Sequence, residues 1–233
     1  MSAARHLGLW VLPDTRLHVA LPPSASRAIH RADVALHWSH GIIPPAGRFA
    51  VDSIENSLYF VTRCRPHDEA VAAVDSALNK KLVRRGNLDA LATRVGGTFA
   101  RVVADADGRA DSGLESLPRV RLARRGITMH PQAIVDGHAI DGLIGDRLLL
   151  QFDGDRFHST PKARQRDREE DRWLALQGYT VLRFGTSDVL RDWPRAEAQI
   201  REAIAADLHL WPAARVRSLE SPTRVIRARP SVV

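Results

Sequence analysis

The stretch from Ala139 to His158, AIDGLIGDRLLLQFDGDRFH, combines the pattern of buried strands with a dense group of polar side chains. Asp141 ends a short alternating run, and after a turn at Gly145-Asp146 the run from Arg147 to Phe152 is typical of a strand inside a sheet. If the two strands form an antiparallel hairpin, the polar residues at the end of the second strand and just after it lie beside Asp141. They are Gln151, Asp153, Asp155 and His158. Because a hard divalent cation is held by carboxylate and other oxygen atoms, the stretch predicts a metal site.

Further segments extend this pattern along the chain: LLQFDG at 149–154, FH at 157–158, RDR at 166–168 and GYTVLRF at 178–184. Together with Asp141, in this order and spacing, they resemble the PD-(D/E)xK nuclease superfamily and, within it, actinobacterial proteins related to the very-short-patch repair (Vsr) endonucleases. The resemblance runs from Asp111 to Ile200. It implies an α/β (α+β) fold with a restriction-endonuclease-like αβββαβ core, and a Mg²⁺-dependent DNA endonuclease activity, with Mn²⁺ as an alternative ion.

The same resemblance implies roles for individual residues. Asp141 is expected to be the principal metal ligand, with the main-chain carbonyl of Phe152 and the amide oxygen of Gln151 as neutral ligands. Glu115 is expected to act as a further acid, directly or through water. His158 is expected to serve as a general acid or base, or to bind phosphate when it is protonated.

Two residues depart from the pattern of the relatives. Such proteins usually carry Glu where this chain has Gln151, and superfamily members often carry Lys where it has Asp153. A neutral amide binds Mg²⁺ more weakly than a carboxylate, and Asp153 is either a second ligand or a turn residue before Gly154. Two functions therefore stay open: an active endonuclease in DNA repair or defence, and a catalytically inactive, nuclease-derived DNA-binding or antitoxin-like regulatory protein.

The composition favours a polyanionic partner. The 233 residues include 34 Lys and Arg against 27 Asp and Glu, a formal charge of +7, and 44% of the residues are hydrophobic. This charge favours DNA, although an RNA nuclease or RNA-binding protein shares the signal. The single Cys64 excludes an internal disulfide and a metal cage built from cysteines, which fits a reducing cytoplasm. No apolar run approaches the length of a membrane span, and no secretory leader is expected.

Residues 1–104 are expected to form a smaller mixed N-terminal region. Strands are predicted at 17–21 and 34–38, and helices at 52–64, 67–78 and 87–95, the last with Asn87 as its cap. The opening segment MSAARHLGL resembles the part that follows the winged helix of AbiEi-type antitoxins, which implies a truncated module and a toxin or other protein as partner; a plain N-terminal helix is the alternative. Four histidines lack metal-ligand spacing and are interpreted as surface or hydrogen-bonded residues: His30, His37, His40 and His67.

Residues 105–208 are expected to form the nuclease-like domain, after a boundary marked by Gly96-Gly97 and the polar run 105–109. Ser112 and Glu115 form the pattern of a capping box, a structural role compatible with the metal role of Glu115. Asp136-Gly137 predicts the two-residue turn of a hairpin.

The helix predicted from about Ser159 to Gln177 is unusually basic in its first turns. Its cations are Lys162, Arg164, Arg166, Arg168 and Arg172, and Ala163 is the only apolar residue from 162 to 172. We expect the first four of these cations to contact phosphate; the alternative is a solvated face with ion pairs such as Arg166 with Glu170. Asp167 is expected to pair with Arg166 or Arg183. A fourth strand is predicted at 179–184, one last helix is predicted from Ser187 or Asp188 to about Ile204, and residues 209–233 are predicted to be a disordered basic tail.

Overall fold

The structure, a computed structural model, describes residues 1–25, 31–44, 51–135, 137–154, 161–212 and 227–228. The side chains of 161–164, 166–167 and 227–228 lie outside this description. The chain divides into two compact units, one covering Met1–Ser116 and the other Leu117–Pro230. The fold mixes helices with two sheets, as the sequence predicts.

The first unit places a two-stranded parallel sheet beside a group of helices. Its elements in chain order are α1 (Ser2–His6), β1 (Leu17–Leu21), β2 (Val34–Trp38), α2 (Ile54–Cys64), α3 (His67–Asn79), α4 (Arg85–Val95) and α5 (Gly97–Asp105). The two strands pair in register from Leu17 with Val34 to Leu21 with Trp38. The centre of the unit is α3, in which every residue from 70 to 74 is at most 1% exposed.

Two helices of this unit differ from the sequence prediction. α4 begins at Arg85, so Asn87 lies inside the helix and is not its cap. α5 occupies residues where the sequence indicates only a boundary. Gly96 and Gly97 have φ values of 68° and 57°, a conformation that glycine adopts without steric cost, so the chain turns sharply from one helix into the next.

The second unit is built on a five-stranded sheet. Helix α6 (Gly113–Ala123) crosses the boundary between the two units. The elements that follow it are β3 (His130–Val135), β4 (His138–Ile144), β5 (Leu148–Asp153), α7 (Pro161–Leu176), β6 (Thr180–Gly185), α8 (Thr186–Leu190), α9 (Trp193–Ala205) and β7 (Arg227–Ala228). The strands lie in the order β6-β5-β4-β3-β7. The chain order α6-β3-β4-β5-α7-β6 is the αβββαβ core that the sequence predicts. The hairpin prediction is confirmed by the pairing of Val135 with His138, whereas Asp136 lies outside the described residues.

Helix α7 covers one face of this sheet. Leu174 is fully buried in a cluster with Leu143 of β4 and Leu149 of β5, and Trp173 packs against the same cluster. On β5 and β6 the paired residues Phe152 and Phe184 stack with ring centroids 6.0 Å apart and are also buried. β5 is therefore buried on both faces, which explains its continuous apolar run.

The end of the chain differs from the prediction in two places. The single last helix is two helices, α8 and α9. Pro194 has no N–H group to donate to the carbonyl of Leu190, so a helix does not continue through it, whereas proline is tolerated in the first turn of a new helix such as α9. The first of the two helices begins at Thr186, so Ser187 and Asp188 lie inside α8 and Gly185 is the residue at its N-cap. Asp188 still satisfies the helix start, since its Oδ2 accepts a 2.8 Å hydrogen bond from the Gly185 N–H. Residues 227–228 of the predicted tail pair with β3, while 213–226 and 229–233 lie outside the described residues.

No helix in the described part of the chain is both long enough and apolar enough to cross a membrane.

Candidate functional site

Strand β5 is paired differently with its two neighbours. Its parallel pairing with β6 runs the full length of the strand, from Leu148 with Thr180 to Asp153 with Gly185. Its antiparallel pairing with β4 covers only the first half, from Ile144 with Leu148 to Gly142 with Leu150. The pairing with β4 thus ends at Leu150, although β5 continues for three more residues.

The carboxylate of Asp141 lies where the pairing of β4 with β5 ends. Its Oδ2 accepts a 2.7 Å hydrogen bond from the backbone N–H of Phe152. The N–H and C=O groups of one strand residue point to the same side, so the Phe152 carbonyl also points to the β4 side of β5. Continuing the β4–β5 register by one residue brings Gln151 opposite Asp141. The backbone thus brings these three residues near one another, and their role as metal ligands stays a prediction.

The backbone beside Asp141 is irregular on its other side as well. Gln132 on β3 falls between the pairs Pro131–Gly142 and Ala133–Ile140, which places it opposite Asp141. It has a φ of 51° and is only 4% exposed. A non-glycine residue with positive φ inside a strand is strained, and such strain persists where the surrounding structure enforces it.

The side-chain alternation of β4 changes at the same place. Ile140 and Leu143 both belong to the cluster beneath α7. In an uninterrupted strand, residues three apart point to opposite faces. The alternation is thus reset between them, at Asp141 and Gly142.

A half-buried ion-pair network secures the opposite side of β5. The guanidinium of Arg183 on β6 donates to both carboxylate oxygens of Asp171 on α7, at 2.8 and 2.7 Å. It also donates to Asp153 Oδ2 at 3.3 Å. The hydrogen bonds and charge of Asp171, followed by those of Asp153, raise the pKa of Arg183 above its ordinary value. The network joins β5, β6 and α7 next to Gln151, which the parallel register pairs with Arg183.

This network changes the interpretation of Asp153. The sequence allows either a second metal ligand or a turn residue, but the carboxylate contacts a cation of the protein. The described partners of Arg183 are Asp171 and Asp153, and the pairing of Asp167 with Arg166 or Arg183 stays a prediction. The side chains of Asp167 and Arg166 lie outside the described residues.

Glu115 has the structural contacts expected of a helix-capping carboxylate. Its Oε2 accepts from the Asp111 N–H at 3.0 Å, and its Oε1 accepts from the Ser112 hydroxyl at 3.1 Å. It is only 5% exposed. Glu115 belongs to the first unit and Asp141 to the second, and a role for Glu115 at a metal ion stays a prediction.

Other predicted site residues are described only in part. His158 lies outside the described residues, and so do the side chains of Lys162, Arg164 and Arg166. Arg168 is exposed on α7 and donates to Gln165 Oε1 at 3.2 Å. Glu170, the suggested partner of Arg166, has its Oε1 at 2.8 Å from His138 Nδ1.

Sequence reasoning missed three features of this site region: Gln132, Asp171 and the network role of Arg183. The positive φ of Gln132 has no local sequence signal, since glycine or asparagine would be expected there. Asp171 is one acid among several on a charged helix. Arg183 lies in the segment 178–184, which resembles the nuclease superfamily, but its partners depend on which face of the sheet α7 covers.

The donors at the opening between β4 and β5 fit a hard divalent cation. A carboxylate, an amide and a main-chain carbonyl are oxygen donors of the kind that Mg²⁺ and Mn²⁺ accept, while soft donors are absent from the predicted set. The Asp153 carboxylate on β5 is bound to Arg183, so Asp141 supplies the negative charge of this set. The donor set therefore fits a divalent ion in kind, with less negative charge than a site that has two carboxylates.

Comparison with known proteins agrees with this geometry. Residues 119–204 match the family model REase_MTES_1575, a restriction endonuclease-like family. The match includes Asp141, Gln151 and Arg183 and begins after Glu115. Restriction endonuclease-like domains generally use divalent metals. The match supports a nuclease-like domain in this part of the chain.

Two curated relatives are similar over a longer part of the chain. They are the uncharacterized proteins MT2308 and Rv2248 of Mycobacterium tuberculosis strains CDC 1551 / Oshkosh and H37Rv. Each is 29% identical over 154 residues, covering 60% of this chain and 56% of the relative. The chain thus spans about half the length of these relatives. No solved structure matches the chain significantly.

Proposed function

We propose that the chain contains a Mg²⁺-dependent DNA endonuclease domain of Vsr-like type over residues 105–208, acting in DNA repair or in defence against foreign DNA. The observation that carries this proposal is the carboxylate of Asp141, which binds the Phe152 N–H where β4 and β5 separate. The hydrogen bond fixes the Asp141 carboxylate beside the main chain of β5, and the strand register supports Gln151 as its neighbour. The match of residues 119–204 to a restriction endonuclease-like family supports the assignment.

The protein groups have separate tasks in this proposal. Asp141, the Gln151 amide oxygen and the Phe152 carbonyl would hold the ion, and Glu115 would contribute directly or through water. A bound divalent cation lowers the pKa of water and stabilises the charge that develops on a phosphodiester. His158 would exchange a proton with the reacting oxygens or bind phosphate. The network of Arg183 would keep β5 in place while the ion and DNA bind.

DNA would be held by the basic first turns of α7. Arg168 is exposed, as are its neighbours Gln165 and Glu169. Lys162, Arg164 and Arg166 belong to the same turns. Contacts of such side chains to phosphate fix the position of the duplex without reading its sequence.

A second function is favoured by one specific feature of the site. Gln151 stands where relatives carry Glu, and the Asp153 carboxylate is paired with Arg183. The site then has too little negative charge to bind Mg²⁺ tightly. In this alternative the domain is a catalytically inactive DNA-binding module, and an AbiEi-like region in residues 1–104 would place it in a regulatory protein with a toxin or other protein as partner.

Titration of supercoiled plasmid with the native chain distinguishes the two functions. Nicking or linearisation that needs Mg²⁺ or Mn²⁺ and stops with EDTA is expected for the endonuclease. A retarded plasmid that stays supercoiled with either ion would reject it in favour of the binding module. Parallel reactions with single-stranded RNA separate DNA from RNA as the substrate.

A further inference from the structure

The first unit brings two histidines and the single cysteine together from three different elements. His18 lies on β1, His37 on β2 and Cys64 at the end of α2. The parallel register pairs Ala20 with His37, so His18 and His37 project from the same face of the two-stranded sheet. One ligand atom from each of the three side chains lies within 4.8 Å of the other two. Within the described residues, this is the one such group of His, Cys, Asp and Glu side chains.

The hydrogen bonds of His18 prepare one of its nitrogens to bind a cation. Its Nε2 lies 3.1 Å from Asp14 Oδ2, and its Nδ1 lies 2.9 Å from His37 Nε2. When Nε2–H donates to the carboxylate, the lone pair of Nδ1 faces His37. A carboxylate behind a histidine is the usual arrangement that orients a metal-binding imidazole.

A small cavity adjoins the two histidines. It has a volume of about 30 Å³ and is lined by His18, His37, Asp52, Ser57 and Phe60 among others. A water molecule needs about 10 to 15 Å³ of such space, so the cavity has room for one additional ligand. The Ser57 hydroxyl lines the same cavity and offers an oxygen atom to a ligand there. Ser57 is 2% exposed, and its oxygen has no hydrogen-bond partner within the described structure.

We propose that His18, His37 and Cys64 bind a transition-metal ion of the Zn²⁺ class, with Asp14 as a positioning residue and a water molecule in the cavity as fourth ligand. Two imidazoles and one thiolate are a donor set that suits Zn²⁺ and not Mg²⁺. Zn–N distances of about 2.0 to 2.1 Å and a Zn–S distance of about 2.3 Å place tetrahedral ligand atoms roughly 3.3 to 3.6 Å apart. The observed separations reach this range by small side-chain rotations.

Binding of the metal ion changes the protonation of Cys64 and His37. The thiol of Cys64, which now donates to the Phe60 carbonyl at 2.9 Å, loses its proton to solvent as sulfur bonds to the ion. The proton between the histidines leaves His37 Nε2, and His37 is then protonated at Nδ1. The ligands supply one negative charge, and no electron is transferred.

The ion would stabilise a part of the chain that has little support of its own. A two-stranded sheet is marginally stable by itself. A metal bonded to β1, β2 and α2 would join this sheet to the helices by three coordinate bonds. The site lies wholly in the first unit and is independent of the proposed nuclease site.

Titration of the native 233-residue chain with Co²⁺, a spectroscopic substitute for Zn²⁺, tests the proposal. The expected result is a thiolate-to-cobalt charge-transfer band in the near ultraviolet that saturates at one equivalent and is lost when Zn²⁺ is added. The titration is repeated with Asp141→Asn to remove binding at the nuclease site. Absence of a thiolate band at saturation would overturn the proposal.

Variants then assign the ligands. Cys64→Ser should remove the charge-transfer band, and His37→Ala should weaken Zn²⁺ binding by at least about 100-fold. Asp14→Asn should weaken it about 10- to 100-fold while the band is retained, because Asp14 acts through His18. His40→Ala, a nearby exposed histidine outside the cluster, is the matched control and should bind as the native chain does. Equal affinity in His37→Ala and His40→Ala would contradict the assignment.

Discussion

The two sides of β5 have opposite properties. On the β6 side, pairing is continuous and the Arg183 network joins the strand to α7. On the β4 side, pairing stops at Leu150, Asp141 binds main chain, and Gln132 is held at a positive φ. A site for metal and substrate needs both properties, because an open edge offers oxygen atoms only if the strand that carries them is fixed. We therefore expect variants on the β6 and α7 side to change stability and DNA binding, and variants on the β4 side to change metal binding and cleavage.

The largest effect on the α7 side is expected for DNA affinity. Replacing Lys162, Arg166 and Arg168 together by Gln should weaken binding of every DNA sequence by about 10- to 100-fold at moderate salt. The slope of log affinity against log salt should fall by about 0.9 for each phosphate that the variant no longer neutralises. Fluorescence anisotropy over a salt series measures both quantities.

A matched control is the replacement of three cations elsewhere, Arg84, Arg94 and Arg101, which keeps the net charge equal to that of the first variant. If both variants lose the same affinity and slope, the effect belongs to total charge and α7 is only a solvated face.

The next effect concerns the Arg183 network. Arg183→Met leaves the Asp171 and Asp153 carboxylates near each other without their shared cation. Because Arg183 and Asp171 are 29% and 33% exposed, we expect a loss of about 1 to 3 kcal/mol of unfolding free energy, between values for surface and buried pairs. Urea unfolding measures it.

The double variant Arg183→Met with Asp171→Leu serves as the control. It removes the carboxylate on α7 that has lost its cation and should regain part of the stability. A double variant that is as unstable as the sum of the two single variants would show that the pair has no coupling.

On the open side, Gln151→Glu sharpens the comparison by adding a charged oxygen at nearly the same volume. If Asp141 and Gln151 flank a metal position, Mg²⁺ should raise the melting temperature of this variant by a few degrees more than it raises that of the native chain. Cleavage should rise most at low Mg²⁺. Thermal melts over a Mg²⁺ series give the answer.

A loss of stability in Gln151→Glu would also have a definite interpretation. A lower melting temperature that Mg²⁺ does not restore means that the new carboxylate meets only the like charge of Asp141. Without a gain in cleavage, that result favours the DNA-binding module.

The smallest expected effect concerns the strain at Gln132. Glycine adopts a φ of 51° freely, whereas alanine does not. Gln132→Gly should therefore be more stable than Gln132→Ala by about 1 kcal/mol. The difference between two substitutions that both remove the side chain isolates the backbone. Equal stability in urea unfolding would mean that the positive φ carries no strain.

Local sequence signals predict the order of the helices and strands and the spacing of Asp141 from Gln151 better than they predict the Arg183 network. The αβββαβ order follows from apolar runs, the Asp136-Gly137 turn and the spacing of Asp141 from Gln151. The split of the last helix at Pro194 could have been predicted from the same rules. The partners of Arg183 could not, because they depend on where α7 crosses the sheet.

The cluster of His18, His37 and Cys64 in the first unit also depends on long-range packing, so local sequence signals do not predict it. Positions 18, 37 and 64 have no metal-ligand spacing, and the sequence therefore predicts a surface or hydrogen-bonded role for His37. Its hydrogen bond to His18 agrees with that prediction. The proximity of Cys64 arises from the parallel pairing of β1 with β2 and from the packing of α2, which a single sequence does not encode locally.

The most direct test of the metal role of Asp141 compares plasmid cleavage by the native chain and by Asp141→Asn with Mn²⁺ present, at protein concentrations that give equal DNA occupancy. Asn keeps the size of the side chain and an oxygen for the Phe152 N–H but removes the charge. If Asp141 holds the ion, the variant binds DNA as the native chain does and cleaves it about 10³-fold more slowly or not at all. Cleavage at the native rate by Asp141→Asn would contradict this role and the endonuclease site built on it.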